Sequence, residues 1–212
     1  MSASKRVVVI GAGGFGREVL DVIEAMQDAG SDLEMIGFLD DGSPNVERVE
    51  RRGHRVLGGL DLLDSLDCGA VIGVGDPQVR ARIDDHLLAN QVASPTLIHP
   101  DATTGADVSL GPGSIVTAGA RLTTNIQLGR HAHLNLNCTV GHDVVGGDYL
   151  TVNPGATISG EITMGNRIMI GTGASIVQGL HIGDDAVIGA GAAVVKDVAS
   201  GTTVVGVPAK PR

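Results

Sequence analysis

Aromatic side chains are almost absent from this chain of 212 residues. It has no tryptophan, and its aromatic residues apart from histidine are Phe15, Phe38 and Tyr149. Because 42% of the chain is nevertheless hydrophobic, its core has to be built from aliphatic side chains. This composition favours a narrow interior in which aliphatic residues stack and rings do not fit.

Cysteines, long apolar runs and an excess of positive charge are also lacking. Cys68 and Cys138 are too few for a disulfide framework, and no apolar run approaches the roughly 18 residues of a membrane span. A formal net charge of −9 argues against nucleic acid or an anionic membrane as partner. The first residues, MSASKR, lack the layout of a signal peptide. We therefore expect a cytoplasmic protein with no membrane segment and no nucleic-acid partner.

Aliphatic residues recur at every sixth position through most of the second half of the chain. From Leu110 to Val194, fourteen of the fifteen positions in this series are Leu, Val, Ile or Met, and Gly146 is the exception. A period of six fits neither a helix nor a plain strand, but it is typical of a hexapeptide parallel β-helix, in which three hexads make one triangular coil. A second inward series follows four residues after each of these positions. Cys138 belongs to it, so we expect a buried structural thiol there.

The first part of the chain follows a different pattern. Residues 7–10 indicate an apolar strand, which is followed by a glycine-rich loop and a helix that should end near Gly30. Further strands are predicted at residues 35–39 and 70–74, and a further helix at 79–88. Alternating strands and helices predict a small parallel α/β sheet. We assign residues 1–95 to a Rossmann-like domain and residues 96–212 to a β-helix domain of about five coils with a C-terminal tail.

The glycine-rich loop is the first candidate site. Gly11, Gly13 and Gly16 match G-x-G-x-x-G between a strand and a helix, where backbone amides can hold a phosphate. Asp40 and Asp41 follow the next strand, about where a dinucleotide fold places its ribose-binding carboxylate. Alone, this would favour a dehydrogenase, but the α/β part has room for only three or four strands. A single nucleotide group is the favoured ligand, with a dinucleotide or a purely structural turn as alternatives.

The segment HAHLNLNCTVGHD is the second candidate site. His142 lies two residues after an inward position, so its ring should point outward from a corner, beside Asp143. Imidazole can accept a proton near neutral pH, and a nearby carboxylate favours its protonated form. A solvated histidine without a role is the alternative. His131 and His133 are predicted to be surface or interface residues, and His181 to be exposed on a wall.

Taken together, these segments resemble a known family. The loop GAGGFGREV, the strand end FLDD, the segment HLNLNCTVGHD, the tail GVPAK and the hexads are similar to those of the nucleotide-sugar acetyltransferases grouped with the sialic acid O-acetyltransferase family, within the hexapeptide-repeat acyltransferases. The resemblance covers essentially the whole chain. It implies a left-handed β-helix, a homotrimer with acetyl-CoA between subunits, and acetylation of the 4-amine of a nucleotide-linked 4-amino-4,6-dideoxy sugar. O-acetylation of a sugar hydroxyl is the alternative.

The resemblance also implies roles for individual residues. His142 matches the family's general base, Asp143 its acidic partner, Asn135 an asparagine near the base, and Gly160 the glycine whose amide faces the thioester carbonyl. The positions expected to contact acetyl-CoA are Thr151, Gly160, Thr172 and Ala190. The positions expected to bind the sugar nucleotide are Gly13, Gly14, Phe15, Asp40, Asp41 and Gly75, of which Phe15 departs from the family, since amino-sugar enzymes commonly have His there.

Direct acyl transfer follows from these roles. His142 would remove the acceptor's proton during attack on acetyl-CoA, and the Gly160 amide would stabilise the oxyanion. We expect no metal, and direct transfer needs no Ser or Cys nucleophile. Cys138 could not serve as one, because its place in the six-residue repeat directs its side chain into the prism. A γ-type carbonic anhydrase shares a left-handed β-helix trimer, but its characteristic residues and His spacing are missing here. A non-catalytic nucleotide-binding or scaffold protein is the other alternative, since the hexapeptide repeats would keep their pattern in a protein that had lost catalysis.

Overall fold

The computed structural model describes residues 5–212, and its first part is a parallel sheet covered by helices. In chain order the elements are β1 (Lys5–Ile10), α1 (Gly14–Asp28), β2 (Leu33–Leu39), α2 (Val46–Glu50), β3 (Val56–Gly58), the 3-10 helix η1 (Leu60–Ser65), β4 (Gly69–Ile72) and α3 (Pro77–Ala89). The strand order is β3-β2-β1-β4, with all neighbours parallel. Alternate residues of β1 enter different clusters, Val7 and Val9 with α1 and Val8 and Ile10 with α3, so helices bury both faces of the sheet.

The predicted strands and helices of this part are present, with shifted ends. Strand β4 ends at Ile72, and helix α3 begins at Pro77 rather than at residue 79. The Asp76 side chain accepts the amide hydrogens of Gln78 and Val79 at 2.8 and 3.1 Å, and proline suits the first helical position, so the helix starts earlier. Among residues 5–212, no helix is long and apolar enough to cross a membrane.

From Leu97 the chain winds as a left-handed parallel β-helix with three flat faces, each of which is one sheet. Face 1 contains β5 (Leu97–Ile98), β8 (Ile115–Val116), β11 (His133–Leu134), β14 (Thr151–Val152), β17 (Met169–Ile170), β20 (Val187–Ile188), β22 (Thr203–Val205) and β23 (Lys210–Pro211). Face 2 contains β6 (Thr103–Thr104), β9 (Arg121–Leu122), β12 (Thr139–Val140), β15 (Thr157–Ile158), β18 (Ser175–Ile176) and β21 (Ala193–Val194). Face 3 contains β7 (Val108–Leu110), β10 (Ile126–Leu128), β13 (Val145–Gly146), β16 (Thr163–Met164) and β19 (His181–Ile182).

The predicted hexads fill the interior of this prism. Paired strands from Leu97 to Val194 are eighteen residues apart, for example His133 with Thr151 and Thr139 with Thr157. The aliphatic series is buried from Val116 to Val194, Leu110 is partly buried, and the second series, including Cys138, completes the same core. Burial raises the pKa of the Cys138 thiol to about 12, as the structural role predicts. Gly146 interrupts the series because a Cβ there would lie 2.8 Å from the Leu128 side chain, which already occupies that space.

Side-chain acceptors close one of the three corners of the prism. The corner between faces 3 and 1, called corner 3–1, carries Asp148, Asn166 and Asp184 in successive coils. Their Oδ1 atoms accept the backbone amide hydrogens of residues one coil earlier, which are Arg130, Asp148 and Asn166, at 2.8, 2.8 and 2.6 Å. This ladder satisfies amides that would otherwise lack an acceptor at a turn.

Helix α3 attaches the α/β part to face 1 through a fully buried arginine. Arg80 donates to the backbone carbonyls of Val74, Gly75, His131 and Tyr149 at 2.8–3.1 Å, and to the Thr151 hydroxyl at 2.8 Å. Burial lowers the pKa of Arg80 to about 9, although nearby Asp76 and Tyr149 act in the opposite direction. Arg80 therefore joins the loop after β4 to two coils of the prism.

A second residue of α3, Asp84, completes this junction. It is fully buried and accepts hydrogen bonds from the Arg130 guanidinium at 2.6 and 2.8 Å, from His131 Nε2 at 2.8 Å and from the Tyr149 hydroxyl at 2.8 Å. Burial alone would raise the pKa of Asp84, but the hydrogen bonds from Arg130, His131 and Tyr149 outweigh it and hold the pKa well below its usual value.

Of the two predicted places for His131 and His133, surface or interface, the surface one is wrong and the interface one is found, inside the chain between its two parts. Both are fully buried, because the α/β part covers the side of face 1 that points away from the prism interior. A side chain that points outward from a β-helix reaches solvent only where no other element covers the face. His181, on face 3, is exposed as predicted.

Candidate active site

His142 and Asp143 form a hydrogen-bonded pair at the corner between faces 2 and 3, called corner 2–3. His142 Nδ1 lies 2.7 Å from Asp143 Oδ2, and both side chains are 48% exposed. Asp143 adopts a left-handed backbone conformation with φ of 58°, which aspartate tolerates better than most residues. The other carboxylate oxygen accepts a hydrogen bond from Asn125 Nδ2 at 2.9 Å. The hydrogen bonds from Asn125 and His142 lower the pKa of Asp143.

Gly160 lies directly beneath the His142 ring, one coil further along the same corner. A Cβ at Gly160 would stand 2.5 Å from Cε1 and Nε2 of His142. No acceptor within residues 5–212 takes the Gly160 amide hydrogen. His142 and a residue whose amide hydrogen has no acceptor are therefore neighbours, an arrangement that suits a base next to an oxyanion-binding group.

Two predicted coenzyme positions lie on the corner between faces 1 and 2, called corner 1–2. Thr172 and Ala190 are exposed, are eighteen residues apart, and have backbone amides that donate to no acceptor in the described chain. Such a column of free amides can bind a ligand that runs along the prism. Thr151 is different, because it is buried and its hydroxyl accepts from Arg80 and contacts the Gly75 carbonyl at 3.3 Å.

The glycine-rich loop leaves an open helix end at the edge of the parallel sheet. Gly13 is the N-cap of α1 and offers no side-chain cap, and a Cβ at Gly13 or Gly14 would meet nothing within 4 Å. Gly16 serves packing instead, since a Cβ there would lie 1.8 Å from the Gly11 carbonyl oxygen. The free amides of the first helical turn and this open space suit an anionic group.

The Asp40–Asp41 pair holds the loops around this helix end. Asp40 accepts the amide hydrogens of Ala12 and Gly42 at 2.7 and 2.8 Å, and Asp41 accepts that of Leu60 at 2.7 Å. Both aspartates line a cavity of about 190 Å³. Their carboxylates thus have a structural use in addition to any contact with a ligand.

Four predicted site residues line one cavity at the junction of the two parts of the chain. Phe15, Gly75, Asn135 and Thr151 surround a space of about 190 Å³, together with Glu18, His133, Asn153 and Pro154. The Phe15 ring rests on His133 with a centroid distance of 4.6 Å. The Asn135 Oδ1 atom is buried without a hydrogen-bond partner in the described chain. Aromatic and amide groups around such a space suit a sugar ring.

His133 was not predicted to belong to this cavity. Burial lowers the pKa of His133 well below its usual value, and the neighbouring Arg80 and His131 add to this, while the Ile72 backbone acts weakly against it. A neutral imidazole is therefore expected here. The sequence signal that could have found it is its place on β11, two residues before Asn135, on the outer side of a face that another element covers.

His142 does not line this cavity. Asn135 follows a strand of face 1, whereas His142 follows the next strand, on face 2, so a whole face separates the two positions in one chain. The histidines of this segment do not converge as the zinc site of a γ-type carbonic anhydrase would require, since His131 and His133 are buried at the junction and His142 is exposed at corner 2–3. Within residues 5–212, no group of three or more His, Cys, Asp or Glu side chains is placed to hold a metal ion.

Comparisons with known proteins agree with this architecture. Residues 6–87 match the family model described as the PglD N-terminal domain. A GDP-perosamine N-acetyltransferase of Escherichia coli O157:H7 is 33% identical over 147 residues, which are 68% of this chain and 65% of the relative. The match thus spans slightly less than two thirds of that relative's length.

Solved structures match over nearly the whole chain. The acetyltransferase domain of PglB from Neisseria gonorrhoeae FA1090 is 36% identical, with 98% of this chain and 100% of that chain covered and a TM-score of 0.88. PerB from Caulobacter crescentus, solved in complex with CoA and GDP-perosamine, is 28% identical, with 99% and 98% covered and a TM-score of 0.87. The resemblance seen in the sequence is confirmed, and the chain belongs to the nucleotide-sugar acetyltransferase family of left-handed β-helix proteins.

Proposed function

We propose that this protein transfers the acetyl group of acetyl-CoA to the 4-amine of a nucleotide-linked 4-amino-4,6-dideoxy sugar. The observation that carries the proposal is the His142–Asp143 pair above the free Gly160 amide, on a chain of this family. Structures of relatives were solved with acetyl coenzyme A, or with CoA and GDP-perosamine, which supports both substrates.

The chemistry is direct transfer with a histidine base. Because Nδ1 of His142 faces the Asp143 carboxylate, it carries the hydrogen and Nε2 is free to accept a proton. The acceptor nitrogen attacks the thioester carbon while Nε2 takes its proton, and the Gly160 amide stabilises the oxyanion. The C–S bond then breaks, and the CoA thiolate leaves and regains a proton from His142. One oxyanion donor contributes about 3 kcal/mol in other enzymes.

We assign acceptor binding to residues 1–95 and coenzyme binding to residues 96–212. The open helix end at Gly13 and Gly14 would bind the diphosphate, and the cavity beside Phe15 and Gly75 would receive the sugar. The free amides of Thr172 and Ala190 would contact the coenzyme along corner 1–2. Phe15 adds an apolar platform where amino-sugar enzymes commonly have His.

We also propose a homotrimer in which neighbouring chains share each site. In one chain the sugar cavity lies beside face 1, and His142 lies on the far side of face 2. A sugar in that cavity could therefore not reach His142 of the same chain. Packing prisms around a threefold axis would bring the cavity of one subunit to His142 of the next. Acetyl-CoA would then lie in the groove between two prisms.

The test is release of CoA with a matched panel of acceptors. UDP-, dTDP- and GDP-linked 4-amino sugars are compared with their 4-hydroxy counterparts and with free sugars. We expect turnover with at least one nucleotide-linked amine, and a loss of about 10²–10⁴-fold in His142→Ala, the usual range for a general base. Asp143→Asn should cost less.

His181→Ala is the matched control, because His181 is exposed on the same β-helix and is not part of this site. Turnover confined to hydroxyl acceptors would replace the proposal by sugar O-acetylation. If no acceptor is turned over although the protein binds the sugar nucleotide, a non-catalytic protein would be favoured. Full activity in His142→Ala would remove the proposed mechanism.

A further inference from the structure

Asp143 uses its two carboxylate oxygens on two different partners. Oδ2 faces His142 Nδ1 at 2.7 Å, and Oδ1 accepts from Asn125 Nδ2 at 2.9 Å. His142 and Asp143 are each about half exposed, so water competes for both groups, and an exposed pair of this kind is weakly held by itself. A third group that fixes the carboxylate would therefore change how the imidazole is held.

Asn125 lies where it can fix the Asp143 carboxylate. It lies one coil before Asp143, eighteen residues earlier on corner 2–3, and both residues have left-handed backbone conformations with φ of 56° and 58°. Asparagine and aspartate tolerate this conformation better than most residues. The coil register therefore stacks the amide of Asn125 on the carboxylate of Asp143.

The Asp143 carboxylate, which needs a donor, sets the orientation of the Asn125 amide. The Thr124 hydroxyl lies 3.2 Å from Asn125 Oδ1 and 2.8 Å from the Ala106 carbonyl oxygen, so it can donate to either. With Oδ1 on the hydroxyl side, the Nδ2 hydrogens point to Asp143. A flipped amide would place its oxygen against the carboxylate, which is unfavourable.

We infer that Asn125 is a positioning residue for the base, a role that rests on the function proposed above. By holding Oδ1 of Asp143, it keeps Oδ2 directed at Nδ1 of His142. The imidazole then keeps its hydrogen on Nδ1 and presents Nε2 above Gly160. Asn125 acts through Asp143 and does not touch the reacting atoms. Outer partners that orient a functional histidine typically contribute 10–100-fold where they have been removed from metal sites.

The test combines kinetics with the tautomer of His142. In Asn125→Ala we expect kcat to fall about 10-fold with both KM values nearly unchanged. The ¹⁵N shifts of His142 should change from a single Nδ1–H form to a mixture of tautomers. Asn125→Asp should lose more than Asn125→Ala, because a second carboxylate would repel Asp143.

Asp107→Ala is the matched control. Asp107 lies one coil before Asn125 on the same corner, with φ of 56°, and its replacement should leave kcat and the tautomer unchanged. Wild-type kcat in Asn125→Ala, or a lower kcat with an unchanged tautomer, would overturn the inference. If the wild-type protein acetylates none of the acceptors, the proposed function fails, and the tautomer comparison alone still decides the role of Asn125.

Discussion

At position 160 a glycine is needed because of a neighbouring ring rather than because of its own backbone. Its φ lies outside the left-handed region, so an alanine could adopt the same conformation. The space for a Cβ, however, is occupied by Cε1 and Nε2 of His142 at 2.5 Å. Close packing of the His142 ring on Gly160 therefore depends on the missing side chain.

Gly160→Ala should reduce catalysis with little loss of stability. The His142 ring is half exposed and can swing away from a new methyl group, but a displacement of about 1 Å can cost roughly 100-fold in rate. We expect kcat to fall by about that factor and the thermal midpoint to stay nearly constant. In a double-mutant cycle, adding Gly160→Ala to His142→Ala should cost almost nothing further. Additive losses would show that the two residues act separately.

Residue-level prediction succeeded where the hexad phase fixes the direction of a side chain in solvent. His142 follows an inward position by two residues, and its exposed place at a corner was predicted correctly. The same phase gave an outward direction for His133, yet an outward side chain on face 1 meets the α/β part and becomes buried. Asn125 could not be found in this way, because its role depends on a residue eighteen positions away.

At the scale of elements, strong periodicity was predictable and weak signals were not. The hexads gave the coils, since each inward residue stacks on an equivalent in the next coil. Helix α2, strand β3 and η1 are three to six residues long and carry no readable period, so they were missed. The packing of α3 against the β-helix was missed as well. In the sequence alone, charged residues such as Arg80 and Asp84 indicate a helix face that is exposed to solvent.

The junction made by α3 should make stability depend on pH in the acid range. The pKa of Asp84 is lower in the folded chain than the value of about 3.9 expected when unfolded, so its contribution is complete above about pH 5. That contribution is lost as pH falls toward the folded pKa. Asp84→Asn should destabilise by about 3 kcal/mol at pH 7, because Arg130 and His131 lose a buried charged partner.

Thermal midpoints from pH 7 to pH 3, at one protein concentration, would check this. The wild-type midpoint should fall more steeply below pH 5 than that of Asp84→Asn. Asp85→Asn is the control, since Asp85 is the next residue on the same helix and is exposed. Parallel pH curves for wild type and Asp84→Asn would show that Asp84 does not contribute in this way.

For the whole molecule, the proposed site between subunits predicts complementation between two inactive variants. Gly75→Phe should fill the proposed sugar cavity, because Gly75 lines this cavity and a Cβ at that position meets nothing within 4 Å. His142→Ala removes the base but leaves the cavity intact. In mixed trimers a site is active when its cavity comes from a His142→Ala chain and its His142 comes from a Gly75→Phe chain. With equal amounts of the two chains, each condition is met half of the time, so about a quarter of the sites should be active.

The assay is CoA release by co-expressed and differently tagged chains, with each homotrimer as a control. Light scattering should give three chains per particle. Activity no higher than that of the separate homotrimers would mean that each chain builds its own site, and a monomer at micromolar concentration would contradict the trimer itself.

Because paired strands between Leu97 and Val194 are eighteen residues apart, only the gain or loss of whole coils leaves every later residue of this segment on its face. Deleting one residue would move every later aliphatic side chain from the inside of the prism to the outside. Deleting eighteen would keep each side chain on its face and shorten the prism by one strand spacing, about 4.8 Å. Insertions and deletions among relatives should therefore come in multiples of eighteen here, and in single residues in surface segments such as 40–55. The number of coils after His142 thus sets the distance between His142 and the C-terminal tail.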